Sequence, residues 1–183
     1  MKKTVFCLLL FSGIMLLSPQ AQACTLLSPT ALNSVFEALP GLQQRSQLPG
    51  RCDYSWARQD QAQIKQQNAA ELKAGASGRY TPARLWQEVV LERYRVLNNE
   101  SAAVLALNRL VKQGPALKFG SPDPLKNVAF KFMDETSAWS EKQSILLFTR
   151  GKALYRLHLR LGDFTPEELK AKAMALREAM TAS

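Results

Sequence analysis

Nucleophilic catalysis of the Ser-His-Asp or Cys-His kind needs an imidazole, and this sequence has one, His158. It lies between Arg156 and Arg160 in a run where Tyr155, Leu157, Leu159 and Leu161 alternate with polar residues. A strand there puts Arg156, His158 and Arg160 together on an outer face. Two neighbouring cations disfavour a third, so His158 is expected to be neutral at pH 7 and poorly suited to act as an orienting base. One histidine and three cysteines are too few for a four-ligand zinc site or for the usual haem and iron–sulfur centres. Glu88 and Glu92 are one helical turn apart. Glycoside hydrolysis, however, needs carboxyls converging on a bond from opposite sides, about 5 to 9.5 Å apart. On one helix face they project in parallel, and Arg84, Arg93 and Arg95 nearby make a solvated charged face the better reading. Asp134, Glu135 and Glu141 surround a loop without the Asp-x-Asp-x-Asp-Gly spacing of a calcium site. No Walker or Rossmann glycine pattern occurs, and Gly75-Ala-Ser-Gly78 reads as a linker. The expectation is therefore a non-enzyme with no cofactor and no metal, a hydrolase being the least favoured class.

Binding is the chemistry the pattern does favour. From Lys142 to Gly162 there are five cations, Lys142, Arg150, Lys152, Arg156 and Arg160, and no acid. Residues two apart on a strand share a face at about 6.8 Å spacing. Lys152, Arg156, His158 and Arg160 are thus the candidate anion- or partner-binding stripe. The competing reading is that they protect an exposed strand from edge-to-edge association. Trp56, Trp86 and Trp139 read as core or loop anchors.

The compartment follows from the N-terminus. Lys2 and Lys3 precede an apolar run from Val5 to Leu17, Ser18-Pro19 breaks it, and Ala21-Gln22-Ala23 is a small-x-small cleavage site. These are the parts of a secretory signal over residues 1–23. The run is shorter than the ~20 residues a membrane span needs. Removing 23 of the 183 residues leaves 160 for a single domain, residues 24–183, with a net charge lowered from +9 to +7 by loss of the two lysines. Outside the cytosol that charge points away from nucleic acid, toward an envelope protein or an anionic lipid or polysaccharide.

Cys7 departs with the signal, leaving Cys24 and Cys52. Two cysteines in an oxidising compartment read as one disulfide, worth about 3.5 kcal/mol on the chain-entropy model. Cys24 is also where a lipoprotein would carry its lipid. Ala21-Gln22-Ala23 lacks the Leu-Ala/Ser-Gly/Ala pattern of a lipoprotein signal, so a periplasmic chain with a Cys24–Cys52 bridge is expected, and anchoring through Cys24 is the alternative.

The elements that would position these residues are readable in part. Ser28-Pro29 caps a helix carrying Leu32, Val35, Phe36 and Leu39, ended by Pro40-Gly41. Cys52, Tyr54 and Trp56 alternate as a strand. Residues 59–78 fit either a weak helix or a loop. Thr81-Pro82 followed by Leu85, Trp86, Val89, Val90, Tyr94 and Leu97 predicts a helix, and Val104 to Val111 resumes the period before Gly114-Pro115 stops it. Pro115 to Lys126 is a loop, and Val128, Phe130 and Phe132 alternate as a strand. Residues 144–161 form a β-hairpin turning at Arg150-Gly151, and Thr165-Pro166-Glu167-Glu168 is a capping box opening a terminal helix. The fold expected is a single α+β domain, an antiparallel sheet of four to six strands flanked by three or four helices.

Three short motifs carry a likeness. Cys24-Thr-Leu26-Leu27-Ser28-Pro29 opens a helix, Cys52-Asp-Tyr54-Ser-Trp56 opens a strand, and Asp134-Glu135 with Trp139 precedes a hairpin. Their order, with the closing amphipathic helix, resembles small bacterial envelope proteins, many of them lipoproteins, whose fold is described as PsbP-like. The likeness covers both ends of the chain and skips residues 59 to 114. In that group the lipidated cysteine lies upstream of the paired ones, whereas here Cys24 would have to be both. The resemblance implies a curved antiparallel sheet flanked by helices and implies no enzymatic activity. Intact mass of the exported protein should therefore show a chain beginning at Cys24, two hydrogens lighter than the reduced form and without acyl groups. A diacylglyceryl adduct, or two thiols alkylated without reduction, would overturn this assignment.

Overall fold

The computed structural model describes residues 24–37, 39–46, 48–74, 83–114 and 125–180. The expected signal segment, the Gly75–Gly78 linker, the Thr81-Pro82 cap and most of the Pro115–Lys126 loop lie outside these residues. In chain order the elements are α1 (Pro29–Val35), β1 (Gln43–Gln44), β2 (Arg51–Ala57), α2 (Gln61–Lys73), β3 (Trp86–Val96) and α3 (Glu100–Gln113). Then come β4 (Lys131–Asp134), β5 (Ser137–Ser140), β6 (Ile145–Arg150), β7 (Ala153–Arg160) and α4 (Pro166–Ala179). The strands form one antiparallel sheet in the order β1-β2-β3-β7-β6-β5-β4. The α+β class stands, with four helices and seven strands, the strand count slightly above the expected range. Among the described residues no helix is long and apolar enough to cross a membrane.

One expected element is corrected. The segment from Leu85 to Leu97 is not a helix but the strand β3, paired with β2 on one side and β7 on the other. Its apolar residues are mostly β-branched or aromatic, types whose branched or bulky side chains favour a pleated surface. A strand buried on both faces also loses the simple alternation that reveals a strand. Val89 and Leu91 join one core, while Tyr94 packs against the other.

Those two cores lie on opposite faces of the sheet. Under α1 and α4, Tyr54, Trp56, Leu91, Leu146, Phe148, Tyr155, Leu157 and Leu159 meet Leu32, Leu169, Ala173 and Leu176. Under α3, Ala138, Ile145, Leu147 and Leu154 meet Leu107 and Leu110. The caps are those the sequence announces: Ser28 accepts from the Ala31 amide at 3.1 Å, and Thr165 and Glu168 complete a capping box. Asn99 caps α3, its side chain accepting from the Ala102 amide at 2.8 Å. The hairpin turns at Gly151, whose φ of +54° suits glycine.

The undecided segment 59–78 is helical as far as Lys73. Of α2 only Ile64 is buried, so no amphipathic period announced it. Its lateral anchors are polar: the Asn68 amide exchanges two hydrogen bonds with the Ala83 backbone, and Gln61 donates to the Leu85 carbonyl. At the β4–β5 turn, the Asp134 carboxylate accepts from Thr136 and Ser137. Partial burial pushes its pKa up, but the Ser137 and Thr136 hydrogen bonds and Arg177 outweigh this and hold it at about 2. Asp134 is thus a turn-former, and among the described residues no group of three metal-binding side chains occurs.

The Cys24–Cys52 disulfide, with Cα atoms 5.3 Å apart, ties the chain ahead of α1 to β2. Tyr54 reinforces the tie by donating to the Leu27 carbonyl at 2.6 Å. Leu157, fully buried between the central strands and α4, should cost about 2–5 kcal/mol when cut back to alanine, through a cavity the packed sheet cannot close. Urea unfolding of Leu157→Ala checks this, and a near-neutral result would contradict the face assignment of β7.

Candidate functional site

The stripe on β7 is where the sequence placed a binding face, and the register of β3 against β7 changes its meaning. Glu88 lies opposite Arg160, Val90 opposite His158, and Glu92 opposite Arg156. Arg156 donates to Glu92 at 2.5 Å and Arg160 to Glu88 at 2.7 Å. On β2, Arg51 lies opposite Glu92 and pairs with Asp53 at 3.1 Å. The face is a ladder of alternating sign and not a basic stripe. Arg156 is only 8% exposed. Its Nε is buried without a hydrogen-bond partner, so the guanidinium depends on Glu92. Lys152 is separate: it is exposed at the hairpin turn and makes no ion pair among the described residues.

His158 is half-buried in this ladder. Its burial first, then Arg160, Arg156 and Arg84, lower its pKa to about 4, so it is neutral at pH 7. Glu88 and Glu92, expected on one helix face, instead share a strand face and are paired with the two arginines.

A recess that sequence reasoning did not assemble lies at the other side of the sheet. Phe36 leaves α1 with extended backbone, and its ring meets Trp56 at 5.2 Å and Phe164 at 6.2 Å between centroids. Lys172 of α4 holds its ammonium 4.9 Å from the Phe36 ring and 4.7 Å from the Phe164 ring, and donates to the Val35 carbonyl at 3.1 Å. An ammonium over aromatic faces is attracted by their quadrupoles. Arg58, just past β2, grips Asp60 with two 2.9 Å hydrogen bonds and also pairs with Asp163. Asp163 accepts from the buried Gln87 amide, whose oxygen accepts from Gly162 N–H at 3.0 Å. Phe36, Trp56, Arg58, Asp163, Phe164 and Lys172 line a cleft of about 600 Å³ between α1, the end of β2 and the β7–α4 connection.

Phe36 and Trp56 read as core from their periodicity. Phe164, Lys172, Arg58 and Asp163 carry no periodic signal, and the available hint was polar residues set at strand–helix junctions. The cleft offers an aromatic wall with fixed polar groups, an arrangement made for contact with a ligand or side chain of mixed polarity. His158 and the cysteines lie outside its lining. No protein-family model, no curated protein and no solved structure matches this chain.

The ladder sets the cost of reversing one of its arginines. On an exposed strand face, Arg156→Glu would be nearly neutral; with Arg156 buried against the partly exposed Glu92 it should cost about 1–3 kcal/mol, because two carboxylates then face each other in a partly buried site. Adding Glu92→Arg to that variant should recover much of the loss, and thermal melts of the single and swapped variants test the pairing. His158 makes a second testable term. Unfolded, it protonates near 6.5; folded, near 4. Between these values the unfolded chain binds more protons, so this contribution is complete above pH 6.5 and is lost as pH falls toward 4. His158→Gln should flatten the stability profile in that window, and an unchanged profile would remove His158 from the ladder's electrostatics.

Proposed function

We propose that the chain is an exported, non-catalytic protein of the cell envelope that binds a partner protein through the cleft between α1 and α4. The observation that carries this reading is the cleft itself: three aromatic rings, an arginine held by two carboxylates, and a lysine spread over two of the rings, all positioned by the ends of regular elements. The secretory pattern and the disulfide support a periplasmic setting, and the resemblance to small PsbP-like envelope proteins points the same way. The alternative, an anionic lipid or polysaccharide bound on the hairpin face, loses support because Glu88 and Glu92 neutralise Arg160 and Arg156 there.

Site-specific photo-crosslinking in the envelope tests the reading. A crosslinker in place of the exposed, cleft-lining Glu37 should give a discrete protein adduct, while one in place of the exposed Lys65 on α2 should not. The adduct should persist at high salt, since an interface with an aromatic core depends little on screened charge. Absence of any adduct from the cleft, or equal adducts from α2, would overturn the assignment.

A further inference from the structure

Five arginines of the described structure, Arg51, Arg58, Arg156, Arg160 and Arg177, are each matched to a carboxylate. Arg95 and Arg109 make no ion pair among the described residues, and they line one groove of about 620 Å³ between α3 and the end of β3. Among the described residues no carboxylate lines that groove. Its α3 wall repeats every three or four residues, with Leu105, 58% exposed, one turn before Arg109. The other wall holds Leu97 and Arg95, whose guanidinium rests 5.3 Å from the centroid of the Tyr94 ring. The Leu97 amide donates to the Lys152 carbonyl at 2.8 Å, which brings the exposed Lys152 beside the same end of β3. Lys112 follows Arg109 on α3 by one turn and is also exposed.

We propose that this end of the molecule docks onto an anionic phospholipid surface. An exposed aliphatic side chain can enter the boundary between head groups and acyl chains while long cationic stems lie along it and reach the phosphates. Leu105 supplies the first component, and Arg95, Arg109, Lys112 and Lys152 the second. A phospholipid carries both complements, negative charge and apolar chain, in one molecule. Of the four stripe residues, Lys152 is the one beside this end of β3, and it makes no ion pair among the described residues. The proposal is independent of the aromatic cleft, so either can fail without the other.

Flotation of the exported protein with vesicles of phosphatidylglycerol and phosphatidylethanolamine, against phosphatidylcholine alone, tests it. Binding is expected to the first and not the second, fading as salt rises. Arg95→Glu with Arg109→Glu should weaken it at least about tenfold, since each basic residue near an anionic surface contributes about fivefold. Both side chains are exposed, so melting should be unchanged. Leu105→Ser should also weaken binding with the charge intact. A matched reversal on α2, Lys65→Glu with Lys73→Glu, should leave binding within about twofold, because charges beyond a Debye length are screened. Equal loss in the α2 variant would reduce the effect to net charge and overturn the site. Absence of binding to phosphatidylglycerol at low salt, including the case where an acidic protein binds the groove instead, would overturn the lipid assignment.

Discussion

Everything in this molecule is arranged around the burial of β3 between β2 and β7. A central strand has no free edge, and from Gln87 to Glu92 this one has little free face, so each side chain there must be apolar or matched. β3 carries two glutamates on one face, and they are tolerable because β7 presents an arginine opposite each. The same register that matches the charges also sets Leu91 against Leu157 and Val89 against Leu159 in the core below. A slip of one residue would turn both sets to the wrong face at once. The ion pairs therefore do more for uniqueness of pairing than their partly exposed geometry would do for stability alone.

That constraint explains which parts of the fold were legible. The hairpin and the caps of α1 and α4 are local signals carried by neighbouring residues, and the Cys24–Cys52 bridge, 28 positions long, was legible because these are the two cysteines after the expected signal. β3 was misread because its partner lies some 70 residues downstream. Glu88 and Glu92, four apart, look like a helical pair until Arg160 and Arg156 are placed beside them. β5 was missed for a related reason: Ser137-Ala-Trp-Ser140 is wholly buried yet half polar, and its serines gain nothing in a pattern count. For the site, residue types were readable but partnerships were not. Arg156, His158 and Arg160 do share one strand face, with Lys152 apart at the turn, yet whether a cation is available depends on a carboxylate from another strand.

The two recesses divide the molecule by chemistry. One is aromatic, with its charges already matched or resting on rings; the other is aliphatic, with its arginines unmatched. They flank different helices and sit on opposite faces of the sheet, α4 forming the first and α3 the second. A protein built this way can present a matched surface to one partner while a cationic one faces elsewhere.

The packing of α1 against α4 joins the beginning of the described chain to its end: Lys172 reaches the Val35 carbonyl across 137 positions. Leu169, Ala173 and Leu176 of α4 complete a core that the residues around α1 begin. Leu26, Leu27 and Leu32 can have no complete surroundings until α4 arrives. Such long-range closure delays native packing.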